Sequence, residues 1–342
     1  MRFKEQAVDI IIEEHSFGPW LKELKPELHM QKVMVIASSS INIDLVKQEL
    51  AKCRFENVAY LIDSFVDPTT QSIQHANTMF NQSQCDTIIA IGGGSVIDLA
   101  KGIMYEQIGN HVIFIACPTT YAGTELTKGF MVVRDDLTKK SVYDIAVQPD
   151  VILIDPILAH TLPHKVSEVV ALDALTHCLE GATSSLANPV ADGSALYGIQ
   201  LALQHLPGTI DADWRKDMAI VGLLGSKAMD CGLGHIHTIT YAIANNTNLS
   251  HGELNCLFAP FVIAKTIEKG IDEGKDVYKF VDLDKVLAVY KHYIIEWDLI
   301  KRYTKDHEPR FIDQAVRDSG YISHPVTFRP QDFQDIFDSI IG

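Results

Sequence analysis

The sequence predicts an α/β domain built on a parallel sheet, followed by an all-α domain. Three observations carry this. Short β-branched runs alternate with helical patterns over residues 32–156, as expected for strands joined by crossover helices. A glycine-rich turn connects one of those runs to a helix-patterned stretch. From about Ile157 onward the strand-like runs stop, and Ala, Leu and Met recur at helical spacing.

The strand candidates are, in order, KVMVIASS (32–39), NVAYLIDS (57–64), DTIIAIGGG (86–94), HVIFIACP (111–118) and DVILIDP (150–156). Between them IDLVKQELAKC (43–53) and TQSIQHANTMFNQ (70–82) place apolar residues three and four apart, which predicts helices. The boundary falls near Pro156, giving domains 1–156 and 157–342. There is no internal repeat, and the charge-rich stretch LIKRYTKDHEPR (299–310) reads as a solvated surface.

Composition narrows the function. A chain of 342 residues with 47% hydrophobic residues can bury a sizeable core. Its net charge of −15 argues against nucleic acid, whose binding rests on Lys and Arg neutralising phosphates. Six cysteines are spread singly with no C-x-x-C pair, which points to a reducing cytoplasm. The N-terminus MRFKEQAVDIIIEEHSF has charges on both sides of a short apolar run. No segment reaches the roughly 18 uninterrupted apolar residues of a membrane span. The expectation is a soluble, unprocessed cytoplasmic protein with neither nucleic-acid nor membrane partners.

AIGGGSVIDLAKG (90–102) ends a strand and opens a helix. Two readings fit. Its glycines can let a phosphate approach backbone N–H groups at a helix N-terminus, or the turn is simply tight, with Ser95 as N-cap and Asp98 completing a capping box. The letters are not those of G-x-G-x-x-G. The next strand ends in CPTTYAGTELT (117–127), again small and hydroxylated, where open α/β sheets bind ligands. Thr119 and Thr120 can bond a phosphate or ribose, or satisfy the turn's own backbone. Two such loops on successive strands favour a shared nucleotide.

ALDALTHCLEG (171–181) puts Asp173 and His177 four positions apart, on one face of a helix that is apolar nearly all round. A charge buried there needs a partner or a metal. A second cluster, GHIHTITYAIANNTNLSHGELN (234–255), carries His235, His237 and His251. His237 and His251 are fourteen residues apart, and Asn245, Asn246 and Asn248 between them suggest a helix break. Geometry alone does not choose among these histidines. One carboxylate with imidazoles suits Fe²⁺ or Zn²⁺ better than Mg²⁺ or Ca²⁺. Glu180, near one further turn along, either orients a ligand or lies on the surface.

GGGSVIDLAKG, PTTYAGTELT, the Asp155-Pro156 pair, ALDALTHCLEG and LSHGELN occur in the order and spacing of the motifs of the iron-containing alcohol dehydrogenases. The chain resembles that family over nearly its whole length, and with it dehydroquinate synthase and glycerol dehydrogenase. The resemblance implies a dehydroquinate synthase-like fold, with a Rossmann-like dinucleotide-binding domain followed by a helical metal- and substrate-binding domain. It implies metal ligands at Asp173, His177, His237 and His251, holding Fe²⁺ or else Zn²⁺. It implies a pyrophosphate loop at Gly92, Gly93, Gly94 and Ser95, with Asp98 and Lys101 on the following helix. Thr119 and Thr120 match the second cofactor loop, and Lys139 matches a lysine near the nicotinamide ribose, with Lys140 as an adjacent competitor.

The departures matter for substrate and cofactor. YAGTE is a compact second loop that looks more like maleylacetate reductases. Relatives often carry a further, non-ligating histidine where this chain has Tyr241, whose hydroxyl is the substitute for proton relay. Ser38 and Ser39 end the first strand where NAD-preferring members often have an aspartate, so the cofactor is NAD or NADP. The expected activity is metal-dependent, NAD(P)-linked interconversion of an alcohol (a polyol, hydroxy acid or sugar acid) and its aldehyde or ketone, in a homodimer. The alternatives are a maleylacetate-reductase-like enzyme and a dehydroquinate synthase-like lyase that uses NAD transiently.

Overall fold

A computed structural model of the chain describes residues 8–64, 67–133, 139–244, 247–270, 280–303, 308–317 and 320–341. The chain divides into two compact units, Met1–Pro163 and His164–Gly342. The first runs β1 (Asp9–Ile12), α1 (Phe17–Glu27), β2 (Lys32–Ser38), α2 (Ile43–Cys53), β3 (Asn57–Asp63), α3 (Thr70–Gln82), β4 (Thr87–Gly92), α4 (Gly94–Glu106), β5 (Ile113–Pro118), β6 (Gly129–Val133), β7 (Lys139–Tyr143) and β8 (Val151–Ile154).

Six strands form one sheet in the order β1-β8-β5-β4-β2-β3, and every pairing in it is parallel. A parallel sheet is covered on both faces, so its inner strands read as continuous apolar runs. Accordingly every residue of β4 and β5 is buried. Val33, Val35, Ile89, Ile91 and Ile115 pack in one cluster with Leu21 and Leu24 of α1 and Val46 and Leu50 of α2. Each such side chain contributes roughly 1.5–3 kcal/mol on burial. Local chemistry sets the helix ends: Asn42 accepts from Leu45 N to start α2, and Thr69 and Ser72 form a capping box on α3.

The five expected strands and both expected helices are present. Two features were not anticipated. β1 adds a parallel edge strand beside β8, and β6 pairs with β7 as a separate antiparallel ribbon. Asp155 joins the sheet's last strand to the first helix. Its carboxylate accepts from the backbone N–H groups of His15, Ser16 and Phe17 at the start of α1, and from Ile157.

The second unit is helical: α5 (His164–Thr183), α6 (Pro189–His205), α7 (Ala212–Met229), α8 (His235–Ile243), α9 (His251–Glu268), α10 (Leu283–Glu296), α11 (Leu299–Arg302), α12 (Glu308–Ala315), α13 (Gly320–Ser323) and α14 (Pro330–Ile341). α5 is its centre. Every residue from Ala171 to Thr183 is buried, because α6, α7 and α9 pack around it, and a helix apolar on all sides is stable only when so enclosed. The expected break between His237 and His251 is real, since α8 ends at Ile243 and α9 begins at His251; Asn245 and Asn246 lie outside the described residues. In the stretch expected to be a solvated surface, Arg302 instead reaches a buried carboxylate, Glu253, while residues 304–307 lie outside the described set. Among the described residues no helix is long and apolar enough to cross a membrane.

Candidate functional site

In the second unit, α5 presents Asp173 and His177, α8 presents His237, and α9 presents His251 at its first residue. α9 can approach α5 because Gly252 follows His251: a Cβ there would lie 2.5 Å from Val169 O on α5. The result is one carboxylate oxygen ringed by three imidazoles. Asp173 Oδ1 is 3.7 Å from His177 Nε2, 3.5 Å from His237 Nε2 and 3.6 Å from His251 Nε2. These separations are too long for good hydrogen bonds. They match the spacing of atoms sharing one ion, since two ligands about 2.1 Å from a tetrahedral metal stand about 3.4 Å apart. Asp173, His237 and His251 form the tightest set, with ligand atoms all within 4.8 Å of one another; His177 stacks on His237, ring centroids 4.7 Å apart.

The electrostatics fit a cation. Asp173 is desolvated, yet His177, His251 and His237 hold its carboxyl well below the usual range. Burial lowers the His177 pKa to about 4 against the pull of Asp173, so its ring is neutral with a lone pair to give. Its buried Nδ1 has no hydrogen-bond partner among the described residues. Burial also opposes charge on His237, but the Glu180 and Asp173 carboxylates outweigh it and carry the pKa up to about 9. A divalent ion would compete with that proton for Nε2.

Glu180 is buried rather than on the surface. Its Oε2 accepts from His237 Nδ1 at 2.6 Å and from Gly234 N at 2.9 Å, and its Oε1 accepts from Ile236 N at 2.6 Å. One carboxylate thus caps α8, which has no side-chain cap of its own, and fixes the protonated nitrogen of His237 so that Nε2 faces Asp173. Asn255, which the sequence reasoning missed, places its Nδ2 2.7 Å from Asp173 Oδ1 and 3.1 Å from His237 Nε2. Its only sequence signal is its position four residues after His251. Of the clustered histidines, His237 and His251 face Asp173. His235 turns away, its ring 3.8 Å from that of His324 and its Nε2 3.1 Å from Val326 O. Tyr241 is 45% exposed and stacks on His251 with centroids 5.3 Å apart.

In the first unit, β2 is followed by β3 on one side and β4 on the other. The strand order therefore reverses between β2 and β4, where open α/β sheets leave a crevice at the carboxyl ends of the strands. Ser38 ends β2 and Gly92 ends β4. The expected alternative of a Ser95 N-cap with an Asp98 capping box is not what forms. Gly93 is the N-cap of α4 and no side chain caps it, so its first N–H groups remain available to an anion. Asp98 is instead buried and accepts from Met131 N. The second loop packs on the first: Thr119 N donates to Gly92 O, and a Cβ on Gly93 would lie 2.9 Å from Thr120 Cγ2.

Lys101, on α4, is fully buried. Its ammonium lies 2.6–3.0 Å from Thr124 O, Thr127 O, Thr127 Oγ1 and Gly129 O, sharing its three N–H groups among them and pinning the end of the second loop and the start of β6. Ser38 Oγ lies 2.8 Å from Ser40 Oγ. Lys139 opens β7, and its side chain lies outside the described residues.

Comparison with known proteins follows the same division. Residues 9–156 match the iron-containing alcohol dehydrogenase profile and residues 169–341 match the Fe-containing alcohol dehydrogenase family C-terminal profile. A 4-hydroxybutyrate dehydrogenase of Cupriavidus necator is 31% identical over 60% of this chain and 62% of its own. Maleylacetate reductase 1 of Cupriavidus pinatubonensis is 31% identical over 64% and 63%. The matched stretch thus spans less than two thirds of these curated relatives. The structure of a sulfoacetaldehyde reductase from Bifidobacterium kashiwanohense in complex with NAD⁺ superposes with a TM-score of 0.88 at 18% identity, over 100% of this chain and 99% of that one. On these matches and its fold, the chain belongs to the iron-containing alcohol dehydrogenase family.

Proposed function

We propose that the protein is a metal-dependent, NAD(P)-linked oxidoreductase that interconverts an alcohol and its aldehyde or ketone. The observation that carries this is the ring of three imidazole nitrogens at 3.5–3.7 Å around Asp173 Oδ1, a donor set that suits Fe²⁺ or Zn²⁺. Asp173, His177, His237 and His251 would hold the ion. Gly92, Gly93, Gly94 and Ser95 at the uncapped start of α4 would take the dinucleotide's pyrophosphate, with Thr119 and Thr120 beside them. When bound, the ion would polarise the substrate's oxygen and the nicotinamide would exchange a hydride with the carbinol carbon.

The chain's own residues prepare that step. Glu180 keeps His237 in the tautomer whose Nε2 faces Asp173. Lys101 holds the second cofactor loop from beneath. Asp98 has no place at the phosphate on this reading: buried on α4, it ties that helix to β6 through Met131 N. Tyr241, exposed and stacked on His251, is suited to pass the alcohol's proton to water. Ser38 ends β2 with a hydroxyl in place of a carboxylate, with Asp63 of β3 paired beside it, so the cofactor is NAD or NADP.

The substrate class is a polyol, hydroxy acid or sugar acid; a 4-hydroxybutyrate dehydrogenase among the relatives supports a hydroxy acid. Reduction of maleylacetate is the second reading, favoured by the compact YAGTE loop (121–125) and by the maleylacetate reductase relative. The six cysteines, all free, support a cytoplasmic setting, and a homodimer completes the proposal. The test is metal content of anaerobically purified protein with an NADH- and NADPH-coupled screen of alcohols, aldehydes and maleylacetate. About one equivalent of metal with reversible nicotinamide turnover supports the reading. Protein that takes up no Fe²⁺ or Zn²⁺ and still reduces maleylacetate hands it to the alternative.

A further inference from the structure

Of the three histidines around Asp173 Oδ1, His251 has the least secure backbone. It is the first residue of α9, with Ser250 as N-cap, and helix ends open first because their leading N–H groups lack intrahelical partners. Its side chain is 35% accessible, against 7% for His177 and 0% for His237. Where its ring stands depends on how the first turn of α9 is held.

Glu253 holds that turn. Its Oε2 accepts from both the backbone N and the Oγ of Ser250 at 2.9 Å, closing a capping box. Its Oε1 takes two cations: Lys165 Nζ at 2.8 Å and Arg302 Nη1 at 2.7 Å. Lys165 lies in the first turn of α5, the helix of Asp173 and His177, and Arg302 ends α11. A capping box needs only a Glu or Gln facing the N-cap. Two charge-assisted bonds on one buried oxygen go beyond that need and tie the start of α9 to α5.

We propose that Glu253, clamped by Lys165 and Arg302, is a positioning residue that holds His251 over Asp173 and so sets how tightly the site keeps its metal. The proposal rests on the reading of Asp173, His177, His237 and His251 as metal ligands. It concerns the one ligand whose position neither a helix interior nor full burial secures.

The experiment is Co²⁺ binding to metal-stripped full-length protein, titrated against a competing chelator, with the thermal midpoint of each metal-free variant recorded alongside. Glu253→Ala and Arg302→Met are expected to weaken Co²⁺ binding about 10- to 100-fold, the range for residues that orient a metal ligand. Glu253→Gln, which keeps the contact to Ser250 N and loses the ion pairs, falls between Glu253→Ala and wild type. In a His251→Ala background, Glu253→Ala adds less than about a twofold loss, because the ligand it positions is gone. Binding within twofold of wild type in both Glu253→Ala and Arg302→Met overturns the proposal. So does a full additive loss in the double variant, which marks Glu253 as a general fold contact. If Glu253→Ala does not fold, the half-exposed Arg302→Met carries the test. Wild type that binds no Co²⁺ removes the metal reading itself; wild type that binds while every folded variant of Glu253→Ala and Arg302→Met binds as tightly removes only the positioning role.

Discussion

Glu180→Gln changes one buried oxygen into an NH₂ group and leaves shape and volume almost untouched. The wild-type carboxylate accepts three hydrogen bonds, from His237 Nδ1, Gly234 N and Ile236 N, so the amide must turn its NH₂ toward at least one N–H donor. Bonds to a charged acceptor are worth about 1.5–3 kcal/mol each, and the negative charge at the start of α8 adds about 0.3–1 kcal/mol through the helix dipole. Losing one bond, weakening two and removing the dipole contact costs about 4 kcal/mol in the metal-free protein. Metal affinity falls further, about 10- to 100-fold, as His237 loses its fixed tautomer. Urea denaturation of metal-stripped protein reads the first quantity and chelator competition the second. A Glu180→Gln variant as stable as wild type, with unchanged Co²⁺ affinity, would refute the reasoning that this carboxylate both caps α8 and orients His237.

Lys101→Met leaves Thr127 O without its ammonium partner and frees the segment 124–129. Leaving a buried acceptor unsatisfied costs about 1–3 kcal/mol, and NAD(H) affinity should fall with it; calorimetric melting and NADH fluorescence titration check both, and an unchanged melt contradicts the buried anchor. Stability also depends on pH through Asp98, which burial, opposed by Lys101 and Met131 N, raises to about 7. The unfolded carboxyl ionises near 3.9, so between about pH 4 and 7 the folded state holds the extra proton. The share of stability from Asp98 is then full below about pH 4 and declines as pH rises to 7, by up to about 4 kcal/mol. Asp98→Asn should remove that share of the slope and leave the share of Glu125, also raised to about 7 by burial; a slope unchanged in urea titrations across this window counts against it. Gly252→Ala forces α9 off Val169 O, 2.5 Å from the new Cβ. Co²⁺ affinity should drop at least tenfold while cofactor binding by the first unit holds, and retention of the metal would show the close approach to be dispensable.

How far the sequence carried this account differs from element to element. β2, β4, β5 and β8 were readable because a strand buried on both faces must be apolar throughout, and α2 and α3 because one face is. β1 escaped notice: four residues at a sheet edge look like any short apolar run. The β6–β7 ribbon escaped because GFMVV and KKSVY are separated by charged residues and carry little alternation. At the site, Asp173 and His177 announced themselves as polar groups on an all-apolar helix. His251 did not, since its approach depends on the path between α8 and α9, which no periodicity encodes; the family resemblance supplied it. Glu180 was placed one turn along but not assigned, because only packing against α8 shows that it is buried. Glu253 could have been found from Ser250 and the S-x-x-E spacing, though its cations, 88 residues upstream and 49 downstream in the chain, are neighbours only in three dimensions.

The most direct measurement is an anomalous difference map collected at the iron edge from crystals of anaerobically purified protein. The account predicts a single strong peak within about 2.0–2.3 Å of Asp173 Oδ1 and of the Nε2 atoms of His177, His237 and His251. A map with no peak there after crystals are soaked in Fe²⁺, or one whose peak has different ligands, would contradict it.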